Sequence, residues 1–194
     1  MKIVGLTGGM GSGKSTIAHM FKEMGVPVYN SDERAKKLMV SSKTARKKII
    51  ELLGTRAYSG KKLNRSYIAE MVFKDKGMLK KLNGIVHPLV RKSFKSWAGR
   101  QTYPYVIQEA AIIFENKNQD FYDKIILVTA PKEVRLNRIL KRDGSQREKI
   151  LERMGNQWPD SKKIPLADFV VNNKDLAKTR LKVEGIHSSL LDNC

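Results

Sequence analysis

Ile3-Val4-Gly5-Leu6-Thr7-Gly8-Gly9-Met10-Gly11-Ser12-Gly13-Lys14-Ser15-Thr16 runs from a short apolar segment through a glycine-rich turn into a helix-forming stretch. Gly8 to Ser15 satisfies G-x-x-x-x-G-K-[ST], in the strand-then-helix setting that this phosphate-binding pattern requires. Glycines let main-chain N–H groups approach phosphate oxygens with no Cβ in the way. The following helix N-terminus adds unpaired N–H groups and a dipole that favours negative charge. In this pattern Lys14 bridges the β- and γ-phosphates, the Ser15 hydroxyl holds Mg²⁺, and Thr16 can reach the α-phosphate. Gly9, Gly11, Ser12 and Gly13 supply the cradle. A glycine turn that binds nothing does not account for four glycines in six positions followed by Lys-Ser-Thr.

Outward from this loop, apolar clusters alternate between strand-like and helix-like patterns. After Ile3–Leu6, Val26–Tyr29, Tyr105–Gln108, Lys124–Thr129 and Asp168–Val171 read as strands, with Pro27 suited to the start of its strand. Short apolar strands separated by helices indicate α/β architecture: a five-stranded parallel sheet covered on both faces, in three layers. A helix is expected from about Lys14 to Met24. More than seventy residues of helical character separate the second and third strands, too long for a simple crossover, and read as an inserted helical lobe over about 33–100. Within it Asn64 and Asp75 are candidate N-caps. Pro131 suits the first turn of a helix carrying Val134, Leu136 and Ile139. Ser145 and Glu148 form a capping-box pattern, and a closing helix is expected from Asp175 to Leu191. No linker, repeat or low-complexity tract interrupts the 194 residues, which fit one domain.

Composition narrows the function. No apolar stretch approaches the roughly 20 residues of a membrane-spanning helix. Met1-Lys2-Ile3-Val4-Gly5 leads directly into the motif with no room for a signal peptide, so cytoplasm is the expected compartment. Cys194 is the single cysteine, which excludes an internal disulfide and a cysteine zinc site. Lys plus Arg number 38 against 19 Asp plus Glu, a formal charge of +19. That field draws anionic ligands, either nucleic acid or a substrate rich in phosphate. Many of the lysines also read simply as solvated helix faces.

The P-loop specifies a nucleotide but not a reaction, since GTPases, motors and small-molecule kinases share it. Asp32, just beyond the second strand, is expected at the carboxyl edge of the sheet, near the P-loop. It reads equally as a proton acceptor for an incoming hydroxyl and as the N-cap of a helix starting at Glu33.

A resemblance extends beyond the loop. Gly5 to Thr16, Ser31-Asp32, and Leu82-Asn83-Gly84-Ile85-Val86-His87-Pro88-Leu89-Val90-Arg91 resemble the dephospho-coenzyme A kinase family in order and spacing. So do Ile112-Ile113-Phe114-Glu115, Arg138, Arg142-Asp143-Gly144, Arg153-Met154, Gln157, Ala167-Asp168-Phe169-Val170-Val171 and Asn173. Essentially the whole chain is covered. The resemblance implies a nucleoside-monophosphate-kinase type of fold with a substrate lobe and a lid, the lid over about 138–160. It implies Mg²⁺-dependent transfer from ATP to the ribose 3′-hydroxyl of dephospho-coenzyme A, completing coenzyme A. Asp32 is then the candidate base, and His87 and Arg91 line the wall that receives dephospho-coenzyme A. Arg138, with Arg142 as a second candidate, closes on ATP phosphates, and Asn173 lies near the adenine.

Taken alone, Arg138 and Arg142 also read as a solvated helix face. His87 also reads as a histidine ending a helix, since Pro88 disfavours helical geometry there. The chain departs from the family pattern at four positions: Asn30 and Glu109 where aspartate is usual, Ala111 for proline and Arg135 for glutamine. Glu109 remains a candidate water-mediated contact to Mg²⁺. None of the four touches the P-loop or Asp32, and they bear on site detail more than on function.

Two other readings use the same residues. One is a related P-loop kinase acting on a nucleoside monophosphate or another small alcohol. The other is a P-loop nucleic-acid-binding protein, against which neither basic run, Arg34–Lys48 or Lys74–Arg100, is interleaved with a set of aromatics suited to base stacking. No specific nucleic-acid partner is expected. Oligomeric state is not encoded in these patterns.

Overall fold

The computed structural model describes residues 1–144 and 146–192, the side chains of residues 73, 74 and 76 excepted. Ser145 of the expected capping box, and Cys194, lie outside the described residues. The chain divides into two compact units, one formed by Met1–Asn30 with Gln101–Cys194 and the other by Ser31–Arg100.

The first unit is built on a parallel sheet of β1 (Lys2–Gly8), β2 (Val28–Asn30), β5 (Tyr105–Glu109), β6 (Lys124–Thr129) and β7 (Phe169–Asn172), in the order β2-β5-β1-β6-β7. Register is fixed by pairs such as Leu6 with Glu109 and with Ile126, and Asn30 with Glu109. Alternation along β6 shows why the sheet is buried twice. Ile126 and Val128 join a core with Ile17, Met20 and Phe21 of α1 (Lys14–Glu23) and Val183, Ile186 and Leu190 of α9 (Leu176–Asp192). Ile125 and Leu127 face the other way, against Ile113, Phe114, Tyr122 and Ala167. Side chains of period two serve two cores. β2 begins just after Pro27, whose carbonyl accepts from Ile107 N at 2.9 Å. Asp168 precedes β7 rather than opening it. Its carboxylate accepts from Ile125 N and Lys124 Nζ, each at 2.8 Å.

Helices α6 (Lys132–Asp143), α7 (Arg147–Gly155) and α8 (Asp160–Lys163) complete this unit. Pro131 sits at the N-cap of α6 rather than inside its first turn, and Gln146 takes that place before α7. Leu136, Ile139 and Ile150 form a small core of their own, against which Met10 packs.

The second unit contains α2 (Ser31–Ser41), α3 (Lys43–Leu53), a hairpin of β3 (Tyr58–Ser59) and β4 (Lys62–Leu63), α4 (Arg65–Lys74) and α5 (Lys76–Ala98). Asn64 and Asp75 do cap α4 and α5, accepting from Tyr67 N at 3.2 Å and Gly77 N at 2.7 Å. The short hairpin carries no period-two signal long enough to read, and the sequence reading omits it. α5 runs unbroken through Pro88, so His87 does not end a helix. Proline in a helix interior costs about 3 kcal/mol. Leu82, Val86, Val90, Phe94 and Ala98 are all buried along α5, and burying a large apolar side chain returns about 1.5–3 kcal/mol. Burial therefore wins. A strict four-residue spacing also drifts by about 40° per step round a helix of 3.6 residues per turn. The buried line thus winds round α5, which packs against α2, α3 and α4. Among the described residues no helix is long and apolar enough to cross a membrane.

Candidate active site

Every strand of the sheet is parallel, so all carboxyl ends share one edge, where ligands gather in open α/β sheets. The glycine loop springs from β1 at that edge. Gly11 and Gly13 have φ of 79° and 92°, left-handed values that glycine adopts without strain. A Cβ on Gly11 would come within 2.5 Å of the Arg135 carbonyl oxygen, and one on Gly13 would fall on the side-chain amide of Asn173. Lys14 Nζ donates to the carbonyls of Gly8 at 2.9 Å and Gly9 at 3.5 Å, which folds its ammonium back over the loop. Ser15 and Thr16 are exposed, whereas Ser12 is buried with its N–H donating to Gly9 O at 3.1 Å.

Beside the loop, Ser15 Oγ lies 3.4 Å from Glu109 Oε1, and Asn30 Nδ2 donates to Glu109 Oε2 at 2.7 Å. Glu109 is buried, and its register neighbours are Leu6 on β1 and Asn30 on β2. A hydroxyl and a carboxylate are hard oxygen donors. They suit Mg²⁺, which takes one or two protein ligands together with substrate phosphates. The residues present therefore fit the ion.

Asn173 is buried and braces the loop. Its Nδ2 donates to Ser12 O at 2.9 Å, while Oδ1 accepts from Thr179 Oγ1 at 3.4 Å. Arg138 Nη2 donates to Asn173 O at 2.9 Å and Nη1 to Ser12 O at 3.3 Å, so the guanidinium lies against the loop. Arg142 is not brought there. It pairs with Asp143 at 2.6 Å at the end of α6, and that contact holds the Asp143 carboxyl below its ordinary pKa.

Two residues absent from the sequence-derived site touch the loop, and a third holds one of them. Gln157 Oε1 accepts from Met10 N at 2.7 Å, and Arg135 Nε donates to Met10 O at 2.9 Å. Asp160 in turn pairs with Arg135 Nη1 at 3.3 Å. Arg135 was legible, lying three residues before Arg138 and so on the same helix face. Gln157 figures in the resemblance, but no local pattern gives its role, since its partner is 147 residues away. The departing residues lie outside the P-loop sequence, yet in the fold they bear on the loop and on the groups beside it. Arg135 holds Met10, Ala111 O accepts from the same Gln157 at 3.5 Å, and Asn30 orients the carboxylate facing Ser15.

In the second unit Asp32 lies in the first turn of α2, which begins at Ser31, so it is not the N-cap. Asp32, His87 and Arg91 are all exposed, and His87 lies in electrostatic reach of both Asp32 and Arg91. Desolvation pushes the His87 pKa below its ordinary value; the Asp32 carboxylate opposes this and the Arg91 guanidinium reinforces it. The spacing of His87 and Arg91 puts both on one face of α5.

Sheet order, glycine cradle and the arginine-bearing helix together define a P-loop kinase. Residues 2–178 match the family model described as dephospho-CoA kinase. The chain belongs to that family. A dephospho-CoA kinase of Bacteroides fragilis is 39% identical over 171 residues, 88% of this chain and 83% of that protein. The crystal structure of TT1252 from Thermus thermophilus superposes with a TM-score of 0.87 at 30% identity, covering 98% of this chain and 97% of that one. A dephospho-CoA kinase from Campylobacter jejuni shares the fold, with a TM-score of 0.69 at 24% identity over 99% of this chain and 98% of that one.

Proposed function

We propose that this chain is a cytoplasmic dephospho-CoA kinase that moves the γ-phosphoryl group of ATP to the ribose 3′-hydroxyl of dephospho-coenzyme A. The observation that carries the reading is the braced loop of Gly8 to Thr16, with Glu109 facing Ser15, in a member of this family. Lys14 leaves the loop carbonyls to grip the β- and γ-phosphates. The amides of Gly9, Gly11, Ser12 and Gly13 line the cradle, with Thr16 toward the α-phosphate. Arg138 adds positive charge from α6, and Asn173 acts through the Ser12 carbonyl it holds. Ser15, with Glu109 through water, would hold Mg²⁺, which when bound would offset charge on the phosphate oxygens.

The lobe 31–100 receives dephospho-coenzyme A, with His87 and Arg91 toward its phosphates. Asp32 accepts the proton as the hydroxyl oxygen bonds to phosphorus and the bond to the β-phosphate oxygen breaks, releasing ADP. Positioning and charge neutralisation supply most of such a rate. Helix α7 is the segment that closes over ATP; the residues after it, from Gln157 to Asp160, are tied to the loop.

A coupled ADP-release assay comparing dephospho-coenzyme A, AMP, adenosine and no acceptor tests this. Turnover confined to dephospho-coenzyme A is expected. Turnover of AMP with none of dephospho-coenzyme A would favour the related-kinase reading.

A further inference from the structure

We infer that Gln157 and Arg135 are positioning residues that set the tip of the phosphate cradle by holding Met10 from both sides. The tip residue is held at every group it has. Its N–H is taken by Gln157 and its carbonyl by Arg135, while its side chain packs on the Leu136, Ile139 and Ile150 core.

Both holders are themselves held. Arg135 keeps only 11% of its side chain exposed and pairs with Asp160, which keeps 21%. Gln157 also donates to Ala111 O. The next residue, Trp158, donates its N–H to Glu115 Oε1 at 3.1 Å, and that carboxylate pairs at 2.6 Å with Lys163, whose side chain is fully buried. Glu115 Oε1 thus ties Trp158 and Lys163 to one point, and with Gln157 and Asp160 on either side of the tie residues 157–163 act as one strut against the loop. The loop is shaped to receive it, since a Cβ on Gly9 would fall on the Arg135 guanidinium.

A tip fixed on both sides does not have to be ordered when a triphosphate arrives, and ordering cost is what preorganisation removes from binding. The strut therefore supports affinity for the phosphate chain, whatever base it carries, and does not touch the acceptor. This inference rests on the reading of Gly8–Thr16 as a triphosphate site.

The test uses the whole protein with Gln157→Met and Arg135→Met, side chains of similar reach without the hydrogen bonds. Each should weaken ATP and inorganic triphosphate alike by about 5- to 10-fold, the loss of one well-made hydrogen bond. The KM for dephospho-coenzyme A should stay unchanged, and kcat at saturating ATP should stay within about threefold. Gln157→Met should also speed hydrogen exchange at the Met10 amide. Unaltered triphosphate affinity in either folded variant, or equal losses for both substrates, overturns the inference. If one variant fails to fold, the other decides. Wild-type protein that bound no triphosphate would instead remove the cradle reading itself.

Discussion

The two compact units handle charge in opposite ways. Ser31–Arg100 contains 19 of the 38 lysines and arginines but 5 of the 19 acidic residues, so it carries +14 of the +19. The other unit is larger and carries only +5. It fixes its polar groups one by one: Lys14 on loop carbonyls, Arg138 on Ser12 and Asn173, Arg135 on Met10 and Asp160. In the lobe, Asp32, His87 and Arg91 remain exposed, and most lysines are solvated. A fixed donor is specific and insensitive to salt, whereas a diffuse field attracts from a distance and is screened. Under the proposed function, phosphate transfer calls on the first and capture of a large anionic acceptor on the second.

The sharpest test of the fixed half is Lys14→Ala. It removes a charge that no neighbour can replace, and kcat/KM should fall by about a thousandfold or more, as for electrostatic groups at phosphoryl-transfer sites. Circular dichroism should show an intact fold. Near-normal turnover would break the comparison at its root. Asp32→Asn is next. A general base contributes about 10²- to 10⁴-fold, so kcat should drop by at least about 100-fold while the affinity for ATP holds. A surviving kcat would leave Asp32 as one more exposed charge of the lobe.

The sequence reading reached much of this because the signals were local. Each sheet strand is an apolar run between helical patterns, and all five stand within a few residues of the expected positions. The loop is contiguous, so its type and its helix could be read from one motif. Non-local features were not legible. Gln157 meets Met10 only through the folded chain, and the hold of Asn30 on Glu109 depends on two strands being neighbours. Helix α5 passes through Pro88 because buried residues on both sides outweigh a local rule. Local preference lost to burial there, and the alternative reading of His87 went with it.

The diffuse half is tested by salt. Raising ionic strength from about 0.05 to 0.5 M shortens the Debye length from about 14 to about 4 Å. The KM for dephospho-coenzyme A should rise several-fold, and more steeply than the KM for ATP, whose phosphates meet close donors in the proposed site. Equal slopes for the two substrates would mean that the +14 of the lobe has no part in capture.

The smallest effect expected is with pH, and it separates the two units by one histidine each. Desolvation depresses the pKa of His87 in the lobe and of His187 in α9, where Tyr105 OH lies 2.6 Å from Nδ1, below the ordinary value of 6.5. Each folded imidazole thus resists protonation that the unfolded chain accepts. The stability this gives is complete above about pH 6.5 and is lost as pH falls through the lower folded value. His87→Gln and His187→Gln should each flatten part of the decline in Tm between about pH 6.5 and 5. At pH 7.5 His87 is neutral, so any positive charge these two residues offer in the proposed acceptor site comes from Arg91. His87→Gln should therefore change the KM for dephospho-coenzyme A at that pH far less than Arg91→Gln does. A comparable loss from both would make the imidazole a direct contact rather than a background charge, and would move one residue of the lobe into the class of fixed partners.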